Sequence, residues 1–196
     1  MLDWLKTRGA SARKAKELYG AVVANARNPV FYSHYGVPDT LNGRYEMIVL
    51  VLFQLLERLQ KDGAPDVAEL SRLTLEAFVT DMDDSMRQIG IGDMAVPKKV
   101  KKAAAGFYER SKAYRAALDA ADTAAMARAF GKYLVDAQVM SGTEDAAEQQ
   151  TSSHENEDAV GQFSRLAAHA LRQHQKFAAT DTKTVCAGKA LLEPEL

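Results

Sequence analysis

Residues 43–59 read GRYEMIVLVLFQLLERL, and within them Met47 to Phe53 form an unbroken apolar run of seven residues. A helix that crosses a bilayer needs about 20 predominantly apolar residues, and here Gln54 and Glu57 interrupt far too soon. The stretch therefore reads as a helix from about Asn42 to Lys61 that is apolar around most of its circumference, the central element of a helical core. Asp39 or Thr40 is placed to cap its start, and Gly63 to stop it.

The flanking sequence agrees with an all-α protein, expected as a compact single-domain bundle of about five to seven helices. The 196 residues contain only 5 prolines, little strand-type alternation, and an abundance of strong helix formers. A first helix is expected within Ser11 to Asn25, ending ahead of Asn28-Pro29 because the residue before proline disfavours helix. PVFYSHYGVPDTLNG (29–43) then reads as an irregular, aromatic-rich connection. A third helix starts near Pro65-Asp66, puts Val67, Leu70, Thr74, Phe78, Met82 and Met86 on one stripe, and ends around Ile89-Gly90. A fourth begins at about Pro97, a residue tolerated at the first helical position, with Val100, Ala104, Phe107, Ser111, Tyr114 and Leu118 facing the core. A fifth, from about Asp122 to Met140, buries Met126, Phe130, Tyr133, Leu134 and Ala137.

Beyond it, SGTEDAAEQQTSSHENED (141–158) holds six acids and neither lysine nor arginine. Such a segment buries too little to offset its ordering entropy and reads as a linker. Helical spacing returns at Val160, Phe163, Leu166, Ala167 and Ala170, so a last helix is expected to dock back or to await a partner. The expected organisation is a cationic N-terminal segment with the first helix (1–28), a helical core (29–140), an acidic linker (141–158), and a C-terminal helix and tail (159–196).

Composition narrows the function classes. With 47% hydrophobic residues, 26% charged residues and a net charge of −1, the chain reads as an ordinary soluble globular protein. It has no whole-molecule basic field, and sequence-specific DNA binding is not expected. A single cysteine, Cys186, allows neither an internal disulfide nor a thiolate cluster and fits a reducing compartment. MLDWLKTRGASARKAKELYG lacks the apolar run of a secretory signal, so a cytoplasmic location is expected. The cations of this segment, set near Trp4 and Leu5, read either as a frayed terminus or as a surface for an anionic membrane.

The most charged stretch is FVTDMDDSMRQIGIGDMAVPKKVKK (78–102). Clustered carboxylates can bind magnesium, and an Asp-x-Asp-Asp string invites comparison with the acid motif of terpenoid cyclases. At 100° per residue, however, Asp81 and Asp84 share one flank of a helix whose Phe78, Met82 and Met86 face inward, while Asp83 lies on the other. His169 and His174 are five apart, whereas zinc-binding helical pairs use a separation of four. No nucleophile elbow or phosphate loop occurs. These patterns favour neither a metal site nor a convergent catalytic set. Gly90 and Gly92 read as a helix terminus and Asp93 as a cap for the next helix. Lys98, Lys99, Lys101 and Lys102 fall in the first turns of that helix, where the macrodipole disfavours cations. Either acids of the preceding helix offset them across the short turn, or they serve an acidic partner.

GRYEMIVLVLFQLLERL and residues 78–118, FVTDMDDSMRQIGIGDMAVPKKVKKAAAGFYERSKAYRAAL, together resemble the bacterial members of the ubiquinol–cytochrome c chaperone family. The likeness runs from about Pro29 to Met140 and is most specific from Asp81 to Tyr114. The resemblance implies an all-α assembly chaperone with no catalytic residue and no cofactor. Its expected client is newly made cytochrome b or another intermediate of the cytochrome bc1 complex, met at the cytoplasmic face of the inner membrane. A small co-chaperone, the ribosome and an anionic membrane surface are further expected partners. On the matched positions it makes Asp81, Asp83, Asp84, Arg87, Gly92, Asp93, Lys98, Lys99, Lys101, Lys102, Phe107 and Tyr108 the partner-binding candidates. One departure is that the histidine common in the family's apolar second helix is missing from Val49 to Phe53. Two other readings stay open: a small helical enzyme acting on an isoprenoid or quinone through Asp81, Asp83 and Asp84, and an RNA- or lipid-binding adaptor using the lysines.

Overall fold

The computed structural model describes residues 2–134, 153–191 and 193–195, with side chains from residue 9 in the first helix and from residue 160 in the last long one. Six long helices, α1 (Leu2–Ala26), α3 (Leu41–Gln60), α4 (Pro65–Gln88), α5 (Val96–Asp119), α6 (Thr123–Leu134) and α7 (Ser153–Ala179), are joined by two short ones, α2 (Pro29–Ser33) and α8 (Thr182–Cys186). The fold is all-α.

The stretch at 43–59 is the hub. α3 packs against α1, α4, α6, α7 and α8, and every residue from Tyr45 to Leu56 is buried. Thr40 is its cap, with Oγ1 accepting the Gly43 amide at 3.0 Å, and the left-handed Gly63 (φ +77°) turns the chain out of it. Gly43 is required by close approach, since a Cβ there would sit 1.9 Å from the Pro38 carbonyl oxygen. The stripe on α4 holds throughout: Val67, Leu70, Thr74, Phe78, Met82 and Met86 are all buried. On α5 the inward face is rotated slightly, so that Ala103 and Arg110 are buried along with Phe107, Ser111, Tyr114 and Leu118, whereas Val100 and Ala104 are only partly covered.

Three local expectations need correction. The first helix starts at Leu2 rather than near Ser11, since nothing in the intervening residues forbids helix. PVFYS, read as irregular, forms α2: Pro29 occupies the first turn and the Asn28 side chain accepts the Val30 amide at 3.1 Å. α7 begins at Ser153, inside the acidic segment. Residues 141–152, the predicted burial of Ala137 and the predicted end at Met140 lie outside the described residues.

The last helix docks. Phe163, Leu166, Ala167, Ala170 and Phe177 are buried, and α7 lies along α6 and α3. Polar side chains of α3 fasten it: Gln54 Nε2 donates to the Ala170 carbonyl at 2.6 Å, and Arg58 donates to the Phe177 and Thr180 carbonyls at 2.8 and 3.0 Å. Arg58 thereby puts a cation on orphan carbonyls at the C-terminal end of α7, where the macrodipole favours it. His169 is buried between Phe31 and Tyr35, with ring centroids 5.3 and 5.7 Å away. Burial lowers its pKa to about 4, and Arg172 adds to the shift.

Candidate partner-binding face

The α4–α5 corner is built by its own sequence. α4 ends where Gly90 adopts φ +86°, a conformation that side chains with a Cβ rarely take. The Ile91 amide then reaches back to the Met86 carbonyl at 3.1 Å. A second turn closes between Ala95 N–H and the Gly92 carbonyl at 2.8 Å, and the fully buried Val96 pins the start of α5 to the core. Asp93 does not cap α5, contrary to the sequence reading: Ala95 stands at the cap with no side-chain hydrogen bond. Asp93 instead pairs with Arg87. At Gly92 an added Cβ would meet open space.

Asp81, Asp83 and Asp93 have internal partners, and the acids of the corner do not converge. Asp81 Oδ2 accepts the Tyr19 hydroxyl of α1 at 2.7 Å. Burial, reinforced by that carboxylate, raises the Tyr19 pKa far above its usual value. Asp83 accepts from Arg87 Nε at 2.7 Å on a different side of the helix, and Asp84 is exposed. Among the described residues no group of three or more His, Cys, Asp or Glu side chains comes together in a way that could hold a metal ion.

The cations have a different fate. Arg87 takes Asp83, one helical turn before it, and Asp93, across the turn. Among the described residues, Lys99, Lys101 and Lys102 have no carboxylate at ion-pair distance. Lys101 and Lys102 are exposed and Lys99 is half-covered. Next to this row the surface is apolar: Met94 at the turn is 96% exposed, Tyr108 on α5 is 65% exposed, and Ile89 also reaches solvent. Phe107 belongs to the core, as the helical spacing predicts, and cannot meet a partner in the folded molecule. Its ring packs 5.9 Å from Phe78 and 6.0 Å from Tyr108, fixing the base from which Tyr108 projects.

Beneath this face lies a feature that the sequence reading missed. Arg110 donates from Nε and Nη2 to the two carboxylate oxygens of Glu46 at 2.7 and 2.6 Å, with both side chains nearly inaccessible to solvent. Its Nη1 donates to the Gly106 carbonyl at 3.0 Å, and its guanidinium lies 4.5 Å from the Tyr133 ring centroid. Gly106 leaves room for this, because a Cβ there would come within 2.7 Å of Nη1. Burial pushes the Glu46 carboxyl upward and the arginine fork opposes that shift. Burial acts to lower the Arg110 pKa, but the bonds and charge of Glu46 outweigh it and raise it overall, so the guanidinium stays charged. The signal was present in the sequence: Glu46 directly precedes the longest apolar run, and Arg110 falls on the buried side of α5.

This all-helical body can now be set beside known proteins. The model of the family described as ubiquinol-cytochrome C chaperone matches residues 33–192. The chain belongs to the ubiquinol–cytochrome c chaperone family. The chaperone is also similar to the Cbp3 homolog from Brucella abortus, whose crystal structure it matches at 33% identity over 96% of this chain and 94% of that one, with a TM-score of 0.71. No curated protein matches it. The family match extends past Met140, the limit of the likeness seen in sequence, to take in α7 and α8. Those helices are therefore part of the chaperone fold. Membership implies binding to a component of the bc1 complex rather than catalysis, and among the described residues no helix of the chaperone is long and apolar enough to cross a membrane.

Proposed function

We propose that this chain is a noncatalytic assembly chaperone that binds newly made cytochrome b, or a later bc1 assembly intermediate, on the outer face of the α4–α5 corner. The observation that carries the reading is the contrast within that corner. Asp81, Asp83 and Asp93 are each committed to an internal partner, while Lys99, Lys101 and Lys102 have no acid among the described residues. Cations at a helix start cost a few tenths of a kcal/mol each, and exposing Met94 forgoes burial worth about 1.5–3 kcal/mol. A partner that is acidic at its rim and apolar at its centre offsets both costs. Asp84, Lys98 and Tyr108 extend the contact, with Gly90 and Gly92 shaping the turn that presents it. The protein works in the cytoplasm, peripherally at the inner membrane where its client is inserted, and a small co-chaperone or the ribosome would meet the same face.

The test is capture from native membranes of cells that make the bc1 complex. The wild-type chain recovers cytochrome b, and the triple substitution Lys99→Glu, Lys101→Glu, Lys102→Glu loses it while keeping its helical signal. Equal recovery by both proteins contradicts the assignment of this face. Recovery of no bc1 subunit by either contradicts the client. Deleting the gene separates this function from quinone chemistry: assembled bc1 complex falls while the quinone pool stays unchanged.

A further inference from the structure

We infer that a second site, on a different part of the molecule, binds a phosphate ester: the cleft between the end of α1, α2 and the first turn of α3. The cleft has a volume of about 460 Å³ and is lined by Arg27, Pro29, Tyr32, Ser33, Asp39 and Arg44. That volume lies within the range of small-ligand pockets, roughly 300–1,000 Å³. Its shape is fixed by backbone constraints. The Pro38 carbonyl presses on Gly43 so closely that no Cβ fits between them. The Tyr32 hydroxyl donates to the Ala26 carbonyl at 2.7 Å, which sets the plane of its ring.

The charge in the cleft is positive and only partly used. Asp39 Oδ1 accepts from Arg44 Nε at 2.7 Å, and this bond holds the Asp39 carboxyl below its usual range. One cation and one anion are thereby matched, and neither Nη group of Arg44 has another acceptor among the described residues. Arg27 is exposed and, among the described residues, has no carboxylate at ion-pair distance. Both guanidinium groups, Asp39 and the Tyr32 ring line the same small volume. The arrangement leaves a net single positive charge from planar, multidonor groups, beside an aromatic ring and a proline. Guanidinium forks match phosphate oxygens in geometry and charge, and the Tyr32–Pro29 wall suits an apolar body attached to that phosphate. A lipid headgroup and a soluble phosphate ester share this chemistry.

The cleft shares no lining residue with the proposed client face, so substituting Arg27 is expected to leave cytochrome b capture intact. The experiment is an NMR titration of the full-length chain with phenyl phosphate, followed by competition with phosphatidylcholine vesicles that do or do not contain phosphatidic acid. Saturable shifts are expected at the Tyr32 ring and at the Nε–H groups of Arg27 and Arg44, with inorganic phosphate binding more weakly. Arg27→Gln should weaken binding about tenfold, the loss expected for one charge-assisted pair, while Lys61→Gln should leave it unchanged. Displacement by phosphatidic acid vesicles alone assigns a lipid headgroup, and binding that such vesicles do not displace assigns a soluble ester. Lack of saturation at roughly 10 mM, unchanged affinity in a folded Arg27→Gln protein, or shifts centred on Lys99 to Lys102 instead would overturn the inference.

Discussion

Two charged groups on α5 receive opposite treatment. Arg110, deep in the core, has Glu46 as a two-pronged partner, a backbone carbonyl for its third nitrogen, and an aromatic face beside it. Lys99, Lys101 and Lys102, about two to three turns earlier on the same helix, have no acid at ion-pair distance among the described residues although Asp81, Asp83, Asp84 and Asp93 precede them. Burial explains the difference. An unmatched cation in the core would cost several kcal/mol, so the fold must satisfy it, whereas exposed lysines lose little by standing alone. What exposure does not explain is the concentration of these lysines at a helix start beside Met94 and Tyr108. That is where partner recognition enters.

If the core charge is structural, breaking it should have a larger effect on stability than any change at the corner. Arg110→Ala leaves Glu46 buried and unpaired, and should cost roughly 3–5 kcal/mol, read as a lower denaturant midpoint. The double replacement Glu46→Leu with Arg110→Met should recover most of that loss, because a well-packed apolar pair carries no desolvation penalty. A double variant as unstable as Arg110→Ala would mean that the network, rather than the unpaired charge, is what matters.

His169 gives the next effect in size and concerns the α2–α7 contact. Its folded-state pKa of about 4 lies below the ordinary 6.5, so as pH falls from 6.5 the unfolded chain takes up a proton that the folded chain refuses. Stability should therefore be fully present above pH 6.5 and decline by about 3 kcal/mol toward pH 4. His169→Phe should flatten that decline, as followed by thermal melts at stepped pH. Arg172 is the charged neighbour that reinforces the shift.

Smaller effects separate the two uses of charge at the corner itself. Asp81→Asn weakens the bond from Tyr19 and should cost about 1–2 kcal/mol without altering client capture beyond the loss of folded protein. Replacing Lys99, Lys101 and Lys102 with glutamine should leave stability unchanged or raise it by a few tenths of a kcal/mol per site. An equal loss of stability in both variants would erase the distinction between a structural acid and an outward-facing cation.

How far the fold was legible depends on the same physics. α3, the α4 stripe and the docking residues of α7 could be read because apolar spacing reports burial directly, and Thr40 and Gly63 announced the ends of α3. The extension of α1 to Leu2 and the turn of helix at Pro29 escaped because polar residues and prolines permit helix there without requiring it. The Glu46–Arg110 pair escaped for a different reason: its partners are 64 residues apart, and spacing along one helix says nothing about which charges meet across two. At the candidate site, sequence geometry correctly separated Asp81 from Asp83. The balance between paired acids and unmatched lysines emerged only from the side-chain contacts.

The most direct measurement of the central claim is cytochrome b recovery from native membranes by two proteins of equal folded content, the wild type and Lys99→Glu/Lys101→Glu/Lys102→Glu. The account predicts that the wild type retains cytochrome b and the variant loses it, with a denaturation midpoint no lower than that of the wild type. Undiminished recovery by the folded variant would contradict it.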